Sequence, residues 1–126
     1  MTGNISPGTV IFTANRKRLA KFYAAITGLA VHFEDDSITV LGSTTFELVI
    51  HSLPAEPEAG APASVREDSY IKPFFPVTSL SEARARAGSL GGRLRPENEE
   101  WLARGFKACE AVDPDGNVVQ FRENVR

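Results

Sequence analysis

The chain has 126 residues, of which 42% are apolar and 24% are charged, and its formal net charge is −2. These values are typical of one soluble globular domain with a sizeable core, and a slightly acidic balance gives no support for nucleic-acid binding. No apolar run approaches the roughly 20 residues of a membrane span. The sequence therefore predicts a single domain over residues 1–126, with no nucleic-acid partner and no membrane insertion.

The only cysteine is Cys109, so no intrachain disulfide can form. Because Cys109 lies in a strand-like run, we interpret it as a buried and inert thiol. The opening residues, MTGNISPG, lack the basic and apolar regions of a signal peptide. A reducing cytoplasm is the expected location.

The first half of the chain reads as a strand, a helix and three more strands. The first strand covers 8–14, and Asn15 caps a helix that begins near Arg16 and ends at Gly28. The buried stripe of this helix is predicted to consist of Leu19, Phe22, Tyr23 and Ile26. The three strands are predicted at 29–34, 37–41 and 44–52.

A stretch rich in Pro, Ala and Glu at 53–68 predicts a linker, after which the same order of elements returns. Tyr70–Val77 reads as a strand, and Ser79 with Glu82 forms a capping box at the start of the second helix. Further strands are predicted near 93–95, 105–112 and 117–123. The sequence therefore predicts an α+β fold built from two βαβββ modules, about 8–52 and 69–124.

Two segments resemble the vicinal oxygen chelate superfamily, which includes glyoxalase I, bleomycin resistance proteins and extradiol dioxygenases. Its opening strand and helix resemble the segment GTVIFTANRKRLAKFYAAITGL. Its closing hairpin, in the form found in bleomycin-resistance-like members, resembles the segment RGFKACEAVDPDGNVVQF. The resemblance implies the glyoxalase/bleomycin resistance fold, in which curved mixed sheets form a cup. It also implies a homodimer that completes the binding clefts, and a small-molecule ligand.

The resemblance further implies four positions at which metal-using members place their ligands. These positions fall on Gly8, Glu47, Lys72 and Gln120 of this chain. Glycine has no donor and a lysine ammonium normally repels a cation, so only two weak oxygen donors remain. We therefore expect no metal and no cofactor.

Strand alternation then predicts which side chains share the inner face of the cup. An ion pair between Glu47 and Lys72 is one hypothesis for what replaces the metal, and the alternative is that Lys72 extends to the rim. His51 is either a general base or replacement ligand near Glu47, or a residue that hydrogen-bonds at the strand end. The predicted ligand-binding residues are Phe12, Glu47, His51, Lys72, Phe74, Trp101, Gln120 and Arg122.

Trp101 precedes the closing hairpin, where it is placed either to stack on a flat ligand or to cover a sheet edge or dimer contact. Glu97, Glu99 and Glu100 come just before it and are candidates for meeting a cationic ligand. Phe75 and Phe121 are predicted to face the helices as core residues.

Three functions fit this pattern. The first is a metal-independent protein that binds or sequesters an aromatic or cationic compound. The second is a glyoxalase- or dioxygenase-like lyase or oxidoreductase with a non-standard site around Glu47 and His51. The third is an interaction module whose cup is filled by its own side chains, because a fold alone does not determine function.

Overall fold

A computed structural model describes residues 6–53 and 64–125. Its first half begins with strand β1 (Gly8–Thr13) and helix α1 (Arg16–Thr27). The side chain of Asn15 caps α1 by accepting a hydrogen bond from a backbone N–H, and Gly28 ends it in the left-handed region at φ 75°. The strands that follow are β2 (Ala30–Glu34), β3 (Ile38–Gly42) and β4 (Glu47–Ser52). They form the N-terminal sheet in the order β1-β4-β3-β2, with β1 parallel to β4.

The second half repeats this arrangement. Ser79 caps helix α2 (Leu80–Ala87) by accepting a hydrogen bond from the backbone N–H of Glu82. The strands are β5 (Phe74–Val77), β6 (Arg93–Leu94), β7 (Trp101–Ala103), β8 (Phe106–Val112) and β9 (Val118–Asn124). They form the C-terminal sheet in the order β5-β9-β8-β6, and β7 also pairs with β8. The α+β class and the two βαβββ modules are confirmed, and β7 is an addition to them.

One predicted strand is clearly shorter in the structure. The strand predicted at 70–77 begins only at Phe74, because Tyr70 and Ile71 are exposed and pair with no strand among the residues that the structure describes. Pro76 is accommodated in β5 because β5 is the edge strand of its sheet. Most of the predicted linker, residues 54–63, lies outside the described residues.

One face of each sheet packs with the helices into a shared apolar core. The four predicted stripe residues of α1 are all buried, and Phe75 and Phe121 join them as predicted. Cys109 is also buried, and burial raises the pKa of its thiol, which favours the unreactive protonated form. Within the described ranges, neither helix is long and apolar enough to cross a membrane.

The opposite faces of the two sheets carry the candidate functional residues and are solvent-accessible. We call them the N-terminal and C-terminal open faces. Their large apolar side chains include Val10, Phe12 and Phe33 on the first and Phe74 on the second, and each is between 52% and 57% exposed. These residues therefore do not form the cup filled by the chain's own side chains that the third hypothesis requires.

Candidate functional site

The first two metal positions face each other across the strands β1 and β4. Gly8 pairs with Glu47, which in turn pairs with Gly42 of β3, so a carboxylate stands between two glycines. A Cβ atom added at Gly8 would lie 2.1 Å from the backbone carbonyl oxygen of Glu47. Position 8 therefore lacks a donor and also lacks the room for one.

This close approach gives a testable prediction. Gly8→Ala is expected to lower the free energy of unfolding by about 1–3 kcal/mol, because the new methyl group forces β1 away from β4. Chemical denaturation would measure the loss.

A matched control is Gly88→Ala. Gly88 has helical backbone angles (φ −59°, ψ −44°) and open space around the added methyl, so its replacement is expected to be neutral or to stabilise by up to about 1 kcal/mol. Equal effects at the two positions would contradict the role given to Gly8.

The predicted ion pair between Glu47 and Lys72 is wrong. The Nζ atom of Lys72 lies 2.6 Å from Oε2 of Glu110 instead. Glu110 is the residue opposite Gln120 in the closing hairpin, so the register of β8 and β9 places its carboxylate within reach of Lys72. Among the described residues, Glu47 has no ion-pair partner within 4.0 Å.

The residues at the four metal positions do not fit a divalent ion. Gly8 supplies no donor, and the Lys72 ammonium is bound to Glu110. In the part of the chain that the structure describes, no group of three or more His, Cys, Asp and Glu side chains is placed to hold a metal ion. Tight divalent sites need three or more such donors around one point.

His51 lies at the end of β4 and makes the contact expected of a structural residue. Its Nδ1 donates to the backbone carbonyl of Ser52 at 2.9 Å, and its ring centroid is 4.9 Å from that of Phe12. Along a strand, four residues span about 13 Å, and Val49 stands between His51 and Glu47 on the same face. This spacing disfavours one compact catalytic site formed by His51 and Glu47.

The C-terminal open face holds an arginine between two aromatic rings. The guanidinium carbon of Arg122 lies 3.5 Å from the ring centroid of Phe74 and 4.4 Å from that of Phe106. Oε1 of Gln120 accepts from Nε of Arg122 at 3.3 Å and from one terminal nitrogen at 3.1 Å. Gln120 occupies one of the four metal positions. In this structure its side-chain oxygen is instead the acceptor that orients Arg122.

Trp101 lies on the same open face, in β7. It pairs with Ala108, which pairs with Arg122, so the three residues form one row across the sheet. Trp101 is 40% exposed and available for contact.

The glutamates before Trp101 are largely engaged within the chain. Glu100 forms ion pairs with Arg84 and Lys107, and Glu99 lies 3.7 Å from Arg95. This pairing weakens the argument for a cationic ligand at this position.

The structure sorts the predicted site residues into two groups. Phe12, Glu47 and His51 lie on the N-terminal open face, whereas the C-terminal open face carries Lys72, Phe74, Trp101, Gln120 and Arg122. Within residues 6–53 and 64–125, no hydrogen bond, ion pair or ring contact joins the two groups. A groove of about 420 Å³ adjoins the second group, and Val65, Arg93, Arg95, Glu110 and Val118 are among its lining residues.

Comparison with known proteins agrees with this architecture. Residues 8–121 match the model of the glyoxalase-like domain family. A comparison with the sequences of curated proteins finds no significant match.

Solved structures with a similar fold include three proteins of low sequence identity. A glyoxalase/bleomycin resistance protein from Albidiferax ferrireducens T118 has a TM-score of 0.65 and 20% identity, covering 94% of this chain and 97% of that one. The bleomycin resistance determinant encoded on the transposon Tn5 has a TM-score of 0.60 and 18% identity, covering 96% and 98%. The fosfomycin resistance protein FosX from Mesorhizobium loti has a TM-score of 0.63 and 13% identity, covering 99% and 95%.

These similarities define the glyoxalase/bleomycin resistance fold. The chain belongs to the glyoxalase-like domain family, within the vicinal oxygen chelate superfamily.

Proposed function

We propose that this protein is a metal-independent, single-domain binder of small aromatic molecules. The observation that carries the proposal is the state of the four metal positions, where Gly8 leaves no room for a donor and Lys72 is paired with Glu110. The exposed rings of Phe12, Phe74 and Trp101 offer stacking surfaces next to polar groups, which is the composition of a small-ligand site.

A homodimer is part of this proposal. The exposed apolar side chains on both open faces support it, because a monomer rarely leaves such surfaces uncovered. A site completed by a second copy would enclose a ligand that one open face leaves partly in solvent. A cytoplasmic location is also proposed, and the single cysteine supports it.

Metal analysis and ligand screening test the proposal together. Protein purified without a metal-affinity tag is expected to contain far less than one metal ion per chain, and added divalent ions should not produce glyoxalase or extradiol dioxygenase turnover. Aromatic ligands should raise the unfolding free energy, by about 2.7 kcal/mol at a hundredfold excess over Kd. Light scattering on the same sample gives the oligomeric state.

One outcome favours the enzyme hypothesis instead. A zinc, iron, nickel or manganese ion that remains bound at one per chain after dialysis against a chelator, together with turnover, would contradict the proposal.

A further inference from the structure

Arg122 is oriented by its neighbours but its charge is not neutralised by them. The rings of Phe74 and Phe106 hold the guanidinium plane, and Gln120 accepts from two of its five N–H groups. Among the described residues, the other three N–H groups have no acceptor and no carboxylate lies within 4.0 Å of Arg122. The side chain is therefore ordered in advance for an acceptor that the described part of the chain does not supply.

Three glutamates in or beside the C-terminal sheet are engaged by groups other than Arg122. Glu110 binds Lys72, and Glu100 binds Arg84 and Lys107. Glu123 accepts a hydrogen bond from the backbone N–H of Leu80 on the core side of the sheet. Arg122, which is half-buried, is therefore the charged residue of its row and is not paired with any of these glutamates.

A second cation increases this positive character. The guanidinium carbon of Arg104 lies 5.3 Å from the centroid of the Phe106 ring, on which Arg122 also packs. Burial lowers the pKa of Arg122, and repulsion from Arg104 lowers it further. An anion placed beside both guanidinium groups would relieve this repulsion.

We propose that Arg122 is the anchor for the anionic group of an aromatic acid, whose carboxylate binds the free edge of the guanidinium. The planar fork of an arginine matches a carboxylate with two parallel hydrogen bonds. The ring of the ligand then covers the exposed part of Phe74, which is 52% accessible. This inference rests on the proposed small-molecule function and adds the class of ligand, which differs from the cationic class considered from the sequence.

The test compares three probes of nearly equal shape: benzoate, the neutral benzamide and the cationic benzamidine. Each is titrated into the full chain, and binding is followed by NMR through the amide signals of residues 118–124 and the Nε–H signal of Arg122. Benzoate is expected to bind about ten- to a hundredfold more tightly than benzamide, the range for hydrogen bonds to a charged group. Benzamidine is expected to bind more weakly than benzamide.

Variants distinguish the contribution of the planar guanidinium group from that of its positive charge and from loss of folding. Arg122→Lys keeps the positive charge but removes the planar fork, and Arg122→Gln removes both, so we expect benzoate affinity to fall in that order. Arg86→Gln is the matched control. Arg86 is exposed on α2, so this substitution removes the same charge at a position away from the open face. Signals of unperturbed core residues in each variant report that it is folded.

Three results would overturn the inference. Equal affinity for benzoate and benzamide would leave aromatic binding in place and remove the role of the anion. An equal loss of benzoate affinity in Arg86→Gln and Arg122→Gln would show that net charge alone explains the effect. Absence of NMR chemical-shift changes with all three probes at millimolar concentration would also overturn the inference. Metal independence is tested separately, by the metal content of the purified protein.

Discussion

Replacing Phe75 with alanine is expected to lower the free energy of unfolding by about 3–5 kcal/mol. Phe75 is fully buried, and its ring centroid lies 5.2 Å from that of Tyr23, 5.8 Å from that of Phe46 and 6.2 Å from that of Phe121. Tyr23 and Phe46 belong to the N-terminal module, whereas Phe75 and Phe121 belong to the C-terminal one. The substitution therefore leaves a cavity at the place where the two modules share their core.

Urea denaturation followed by circular dichroism would measure this loss. The matched control is Phe12→Ala, which removes the same ring from a position that is 57% exposed, and we expect a change within about 0.5 kcal/mol. Similar losses at the two positions would mean that the assignment of core and open face is incorrect.

Replacing Asp113 with alanine is expected to cost about 3 kcal/mol, because several hydrogen bonds depend on one buried carboxylate. Oδ1 accepts from the backbone N–H groups of Asp115 and Asn117, and Oδ2 accepts from the Asn117 side chain at 2.8 Å and from the Tyr23 hydroxyl at 2.7 Å. The first three bonds shape the turn between β8 and β9, and the fourth connects that turn to α1. Alanine would leave the buried Tyr23 hydroxyl without its acceptor.

Tyr23→Phe provides the comparison, since it removes only the bond to α1 and should cost about 1 kcal/mol. If Asp113→Ala costs no more than Tyr23→Phe, the turn does not depend on the carboxylate.

The pH dependence of Asp113→Ala gives an independent check. Burial raises the pKa of Asp113 in the folded state, so the contribution of this group is fully present below its unfolded pKa and declines as the pH rises through the folded value. The loss measured near about pH 4 should therefore be at least as large as that near about pH 7. A smaller loss in acid would contradict this direction.

Features set by local sequence were predictable. The cap at Asn15, the left-handed Gly28 and the cap at Ser79 depend on residues within one or two turns of each other, and the structure has all three, although it shows only the serine half of the predicted capping box. Alternation along β5 and β9 likewise predicted that Phe75 and Phe121 face the helices. These features depend on short-range chemistry and strand periodicity, both of which can be read directly from the sequence.

Pairing between distant residues was predicted less well. The partner of Lys72 is Glu110, 38 residues further on, and alternation alone does not identify it. The hairpin turn did contain the signal: Asp113 and Asn117 close the loop, so Glu110 must lie opposite Gln120. The division of the candidate residues between two open faces depends on how the modules pack, which no single strand pattern encodes.

The tight contact between Gly8 and the backbone of Glu47 also limits how this protein can evolve. A histidine at position 8 would provide an imidazole only if β1 were displaced, which would disturb the six residue pairs that join β1 to β4. Recovering metal chemistry therefore requires coordinated changes in two strands rather than one codon substitution. New specificity is reached more readily through side chains such as Arg122, which can be exchanged while the backbone stays in place.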